Sequence, residues 1–200
     1  FPGAAMRMID ERLGAPVSLF LQGAGGDTKA RIIAGEDGQW RAGTWDDVDA
    51  AGKMVADEVF ALMDKGLGAV DPDLKTAETG MAWKLEKPLD RAGYEEIAAH
   101  PKAHSESLPE IMRLWALEQI AKLDKGMKLP DTADVTAHGV RIGDSCRIVG
   151  IEGELVGELG NLIIRQYDGG VTFPLGYTDG TQMYLPASSM LDEGGYEVES

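Results

Sequence analysis

Cysteine and histidine, two residue types common in catalytic and metal sites, are scarce in this sequence. Among 200 residues there are one cysteine, Cys146, and three histidines. A single cysteine excludes a disulfide within the chain, and at the start of a predicted strand we expect it to be packed rather than reactive. The string His-Glu-x-x-His of zinc proteases and the Gly-x-Ser-x-Gly elbow of serine hydrolases are both missing. The chain therefore carries no self-contained signature of either class.

Positive charge and long apolar runs are also scarce. Nineteen Lys and Arg residues face 34 Asp and Glu residues, which gives a formal net charge of −15. This charge repels phosphate backbones, so we expect no nucleic-acid partner. No apolar run approaches the about 18 residues that a membrane-spanning helix requires, so we expect no transmembrane segment. Hydrophobic residues make up 44% of the chain, enough for a substantial core.

The histidines do not form a convincing metal site by themselves. His100 and His104 have the spacing that places two zinc ligands on one face of a helix. Pro101 lies between them and would break that helix, so we expect both to be loop residues. We expect His138, in a predicted strand, to be satisfied or exposed rather than a ligand.

The order of periodic segments predicts an α/β fold. Helices are predicted where apolar residues recur every three or four positions, and capping boxes at Thr44 and Ser107 begin two of them. The predicted helices cover about residues 4–13, 45–66, 90–99, 108–126 and 155–167, and the predicted strands cover residues 17–21, 74–89, 134–142, 146–151 and 171–175. Strand, helix and strand in succession near the end predict a parallel crossover. We therefore expect residues 1–200 to form a single α/β domain, with a mixed, partly parallel sheet and helices packed on its faces.

The segment from residue 147 to residue 196 carries the candidate site. An apolar run over residues 148–151 ends in Glu152-Gly153-Glu154, and a helical pattern follows. Ligands commonly bind where strands end and helices begin, so Glu154 and the later Tyr184 and Tyr196 form a candidate group. Each also has a plain structural explanation, since a glutamate is favourable in the first turn of a helix and tyrosines pack with one edge in water.

These residues carry a resemblance. The Gly153-Glu154 turn, then Tyr184, then Tyr196 before an acidic residue are similar to the C-terminal part of the catalytic domain of neutral/alkaline non-lysosomal ceramidases and bacterial ceramidase-like hydrolases. Residues 19–27, which end in Gly25-Gly26-Asp27, resemble the strand and Gly-Asp loop of that family. The chain departs from the family at Glu152, where proline is usual, and at Lys29, which stands at the catalytic serine position.

The resemblance implies a zinc-dependent amidohydrolase that cleaves the N-acyl amide of ceramide or a related lipid. It implies Glu154 and Tyr184 as zinc ligands, Tyr196 as a tyrosine that supports the metal or takes part in catalysis, and Asp27 as part of the catalytic loop. Two further histidine ligands would come from an upstream half, so the chain alone would be inactive. The start at Phe1 instead of methionine fits an excised part, and the family suggests a secreted or periplasmic location.

Two alternatives remain open. The first is a non-catalytic binding or structural module descended from the same family, which Lys29 and Glu152 favour because they replace residues of the family pattern. The second is an acidic α/β domain with a purely structural role.

Overall fold

The computed structural model describes residues 1–105, 108–181 and 183–199. Its α-helices are α1 Pro2–Leu13, α2 Trp45–Asp64, α3 Arg91–Ala99, α4 Pro109–Asp124, α5 Gly157–Arg165 and α6 Tyr196–Glu199. Its strands are β1 Leu74–Lys84, β2 Thr132–Ile142, β3 Cys146–Ile151, β4 Glu154–Leu155, β5 Val171–Leu175 and β6 Tyr184–Leu185. No helix of this described part is long and apolar enough to cross a membrane.

The main sheet has four strands in the order β1, β2, β3, β5. The pairs β1–β2 and β2–β3 are antiparallel, whereas β3 and β5 are parallel. Parallel strands need a crossover connection, and α5 lies in that connection and contacts β5. The prediction of a mixed, partly parallel α/β sheet is confirmed, and β1 lies at one edge of the sheet.

A second, two-stranded sheet pairs β4 with β6 in parallel, Glu154 opposite Tyr184 and Leu155 opposite Leu185. Leu155, Leu185 and Val156 are the largest side chains that are almost fully buried. Burial of each such side chain contributes about 1.5–3 kcal/mol. The small sheet that carries two of the candidate residues is therefore among the best-packed parts of the chain.

Helices α1 and α2 form a close pair. Thr44 accepts the amide hydrogen of Asp47, and the Asp47 side chain in turn caps Thr44, so the predicted capping box is confirmed. A Cβ atom at Gly52 would lie 2.5 Å from the Cβ of Ala4. Glycine at this position allows the two helices to approach.

Helices α3 and α4 enclose a small core of Tyr94, Ile97, Ala116 and Leu129. Asp90 caps α3 through the amide of Gly93, at 2.9 Å. The predicted capping serine of α4, Ser107, lies outside the described residues.

The prediction of a buried strand at residues 17–21 is wrong. The segment belongs to no described strand, and Val17 is 63% and Leu19 89% exposed. The Asp10 carboxylate accepts the backbone amides of Val17 and Ser18 at 3.0 and 2.8 Å, so these donors are satisfied without a neighbouring strand. Gly23 then forms an antiparallel bridge with Leu175, which returns the chain to the main sheet.

The predicted helix over residues 155–167 is shorter than its pattern suggests, because it begins at Gly157 and ends at Arg165. Leu155 belongs to β4 instead, where its carbonyl accepts the amide hydrogen of Gly26 at 2.9 Å. Leu155 is apolar because it is buried on a strand. Its three- to four-residue spacing from the later leucines therefore does not mean that it belongs to the helix.

Candidate functional site

Glu154 is held at the strand-to-helix corner by its own backbone. Its amide donates to the carbonyl of Met183 at 2.8 Å, and the amide of Gly153 donates to the carbonyl of Gly180 at 2.8 Å. Gly153 has a φ of 101°, a left-handed conformation that favours glycine. The turn therefore fixes where the Glu154 side chain leaves the backbone.

Glu152, which departs from the family pattern, has a structural role. Its amide donates to the carbonyl of Thr136 at 3.0 Å, and its carboxylate accepts the amide of Thr136 at 2.9 Å. Proline at this position would lack the first of these donors. Glu152 thus extends the pairing of β2 and β3 beyond the end of β3.

Tyr177 is a site residue that the sequence did not predict. Its hydroxyl donates to a carboxylate oxygen of Glu154 at 3.2 Å. Its φ of 59° is left-handed, a conformation that costs a non-glycine residue about 1–2 kcal/mol. The flanking Gly176 and Gly180 mark a turn in the sequence, but they do not reveal that a tyrosine within it contacts Glu154.

Tyr184 lies on β6 beside Glu154 and forms a hydrogen bond with it. Burial is the largest cause that raises the pKa of Tyr184 above its ordinary value, and the hydrogen bond and negative charge of Glu154 add to it. Burial and Glu154 likewise raise the pKa of Tyr177. Both phenols are therefore held in the protonated form that can donate to the carboxylate.

Tyr196, the first residue of α6, meets Tyr184 edge to face. The ring centroids are 5.5 Å apart and the ring planes make an angle of 83°. Such contacts between aromatic rings contribute about 0.5–1.5 kcal/mol beyond burial. The structure thus brings together Glu154, Tyr184 and Tyr196, the three residues on which the resemblance depends.

The Gly-Asp loop lies against the same corner although it is far away in the sequence. Asp27 and Gly157 are 130 positions apart, yet the Asp27 carboxylate accepts the Gly157 amide at 2.7 Å. Gly157 is the first residue of α5, so Asp27 satisfies one of its free donors. A Cβ atom at Gly26 would lie 2.8 Å from the carbonyl oxygen of Glu154, so only glycine fits there without displacement.

All four predicted site residues, Asp27, Glu154, Tyr184 and Tyr196, line one cavity of about 590 Å³. Tyr177, Lys29 and Trp40 complete much of its wall. Carboxylate, ammonium, phenol and indole side chains are all present on the wall of the cavity. It has the volume of a small-molecule site and the polar groups needed to orient a ligand.

The residues present fit part of a zinc site. Glu154 and Tyr184 supply a carboxylate and a phenol oxygen in mutual contact, whereas zinc commonly takes four ligands. None of the three histidines lines the cavity. His100 ends α3, the His104 ring contacts the Glu96 carboxylate, and His138 lies 3.0 Å from the Asp179 carboxylate. Within the described ranges, no group of three or more His, Cys, Asp or Glu residues could hold a metal ion.

The contacts within the site show how its side chains are arranged around one carboxylate. Glu154 is central, Tyr177 and Tyr184 contact its carboxylate, Tyr196 packs on Tyr184, and Asp27 secures the loop. Comparisons of the chain with protein-family models, curated proteins and solved structures give no match.

Proposed function

We propose that this chain supplies the carboxylate-and-tyrosine half of a zinc-dependent N-acyl amide hydrolase similar to the ceramidase-like hydrolases. The supporting observation is the convergence of Glu154, Tyr184, Tyr196 and the Gly26-Asp27 loop on one cavity. These groups come from distant parts of the chain, and the family pattern lists them in the same order. Two histidines from an upstream half of the polypeptide would complete the ligand set.

Glu154 and Tyr184 would hold the metal in this proposal. When bound, zinc in such a site polarises an amide carbonyl and activates water for attack on it. The Tyr177 hydroxyl, at 3.2 Å from the Glu154 carboxylate, orients that ligand. Hydrogen bonds of this kind fix the direction of a metal ligand and affect metal affinity by about 10- to 100-fold.

Tyr196 is proposed to act on the substrate. It lines the cavity, is 46% exposed, and is positioned by its ring contact with Tyr184. A phenol at this place can donate a hydrogen bond to the oxygen of an amide carbonyl as negative charge develops there. Donors that bind the charge of the transition state are among the largest contributions to catalysis.

The exposed segment at residues 17–21 supports the need for an upstream half. Leu19 is 89% and Leu21 55% exposed, and this mostly apolar segment belongs to no described helix or strand. An apolar segment that pairs with no described strand offers a surface on which a strand of a partner can pair. We propose that the upstream half of the same polypeptide covers this segment and thereby brings its histidines to the cavity.

Hydrolysis of a short-chain fluorescent ceramide by the complete protein tests this proposal. We expect Glu154→Gln and Tyr184→Phe each to lower kcat/KM by about 100-fold or more, because each removes a metal ligand. The matched controls Glu118→Gln on α4 and Tyr167→Phe, both outside the cavity, should retain activity. Wild-type activity in the Glu154 and Tyr184 variants would show that the site is assigned wrongly.

A non-catalytic binding module is the second candidate. It is favoured by Lys29, which lines the cavity at the position of the family's catalytic serine. A complete protein that binds acyl amides but neither contains zinc nor hydrolyses them would establish this alternative.

A further inference from the structure

A second cavity of about 690 Å³ adjoins the candidate site. The two cavities share four wall residues, Gly25, Thr28, Lys29 and Tyr177. We call the cavity that contains Glu154 the head cavity and the second one the tail cavity. Four apolar side chains line the tail cavity: Ile32 from the short 3-10 helix Arg31–Ile33, and Ala51, Met54 and Val55 from α2. A molecule with a polar end and an apolar chain matches this pair of cavities.

Two cations lie on the walls of this pair of cavities. Lys29 belongs to both walls, and Arg31 lines the tail cavity. The Lys29 ammonium lies 5.8 Å from the centroid of the Trp40 ring, a distance consistent with a cation–π contact. The ion pairs found among the described residues involve neither Lys29 nor Arg31.

Other described cations, such as Lys65, Lys102 and Arg165, also form no ion pair, so Lys29 is distinguished by its place on the wall that the two cavities share. The carboxylates of Asp27, Glu154 and Glu197 also line the head cavity, but none of them is within ion-pair distance of Lys29 among the described contacts. A cation in such surroundings attracts an anionic group of a ligand, and a charged hydrogen bond is stronger than a neutral one. Lys29 is better placed than Arg31, because it lies where head and tail cavities meet.

We propose that the cleft selects N-acyl amino acids, with the acyl chain in the tail cavity and the carboxylate bound by Lys29. The inference rests on the proposed function where it places the scissile amide beside Glu154. In an N-acyl amino acid, the carboxylate is attached to the carbon next to the amide nitrogen. It therefore reaches the wall shared by both cavities when the amide lies in the head cavity. A neutral N-acyl alcohol leaves the Lys29 ammonium without an anion.

Binding to the 200-residue chain tests this selectivity without hydrolysis and without zinc. Isothermal titration calorimetry would compare N-dodecanoylglycine with N-dodecanoylethanolamine, its neutral counterpart of equal acyl length, below their micelle concentrations. We expect N-dodecanoylglycine to bind roughly tenfold more tightly, the size of one charge-assisted hydrogen bond. This preference should shrink as salt is raised, because Lys29 is exposed to solvent.

Three variants locate the effect. Lys29→Met should abolish the preference for N-dodecanoylglycine, and Lys29→Arg should keep most of it because the positive charge is retained. Lys102→Met is the matched control, since Lys102 is also exposed but lines a separate cavity near residues 99–103. This control should bind both compounds like the wild type.

Equal affinity for the two amides, or a preference that survives Lys29→Met, would overturn the proposal. The same titration with dodecanoate is a further test, because the fatty acid that hydrolysis would release also carries a carboxylate. If Lys29→Met weakens dodecanoate as much as N-dodecanoylglycine, Lys29 binds the product carboxylate and the substrate assignment is wrong. A failure of the zinc hydrolase proposal would leave these binding results unchanged, so the two failures are distinguishable.

Discussion

Glu154 is the residue at which the contacts of the candidate site meet. Its carboxylate is next to the hydroxyls of Tyr177 and Tyr184, and its backbone is paired with the segment before β6. The same contacts explain why the pKa values of both tyrosines are raised, since ionisation of either phenol would place two negative charges together. A cation bound at this point would have the opposite effect and favour the phenolate.

The influence of Glu154 on the two tyrosines can be measured by alkaline titration of the tyrosinate absorbance. In the wild type, Tyr177 and Tyr184 should ionise above the ordinary tyrosine value of about 10. Glu154→Gln removes the charge and should lower both pKa values, but not to the ordinary value, because burial is the largest cause and remains.

The control for this titration is Glu118→Gln, which removes an exposed carboxylate that pairs with Lys122 on α4. It should titrate like the wild type. An unchanged titration in Glu154→Gln would contradict the assigned hydrogen bonds.

At the scale of elements, the site depends on how closely the Gly-Asp loop approaches β4 and α5. Gly26 donates to the carbonyl of Leu155 at 2.9 Å, and Asp27 accepts the first amide of α5. The loop is thus bound both to the end of a strand and to the start of a helix. These contacts place Lys29 at the junction of the two cavities.

Substitution of Gly26 tests this close approach. Gly26→Ala should lower the free energy of unfolding by about 1–3 kcal/mol, because its Cβ would lie 2.8 Å from the Glu154 carbonyl oxygen. Gly68→Ala is the control, since a Cβ there meets nothing within 4 Å, and it should change stability by at most about 0.5 kcal/mol. Both are measured by urea denaturation, and equal stability of the two variants would contradict the described packing.

Most helices and strands could be predicted from the sequence, because helix capping and hydrophobic periodicity depend only on residues a few positions apart. The capping box at Thr44 and the parallel crossover around α5 are examples. The start of α5 was misplaced because Leu155 has helical spacing but is paired in β4. Tyr177 was missed because its left-handed backbone depends on the turn as a whole and not on any residue type that signals it.

At the scale of the whole molecule, apolar surface remains where the sequence predicted a buried strand. Burial of residues 17–21 could not be read from their hydrophobicity, because it depends on a neighbouring strand that the described part of the chain does not supply. The same proposal accounts for the place of Glu154 and Tyr184, the two proposed zinc ligands, in a cavity that no histidine of the described part lines. Under the proposed function, an upstream half would pair with residues 17–21 and supply the remaining ligands of the metal site.

Zinc content measured by elemental mass spectrometry tests this central claim most directly. The measurement compares this chain, a longer polypeptide that includes the upstream half, and the longer polypeptide with Glu154→Gln. The account predicts little zinc in the chain alone, close to one zinc per molecule in the longer polypeptide, and a strong loss in the variant. Absence of zinc from the longer polypeptide, or full zinc in the Glu154→Gln variant, would contradict it.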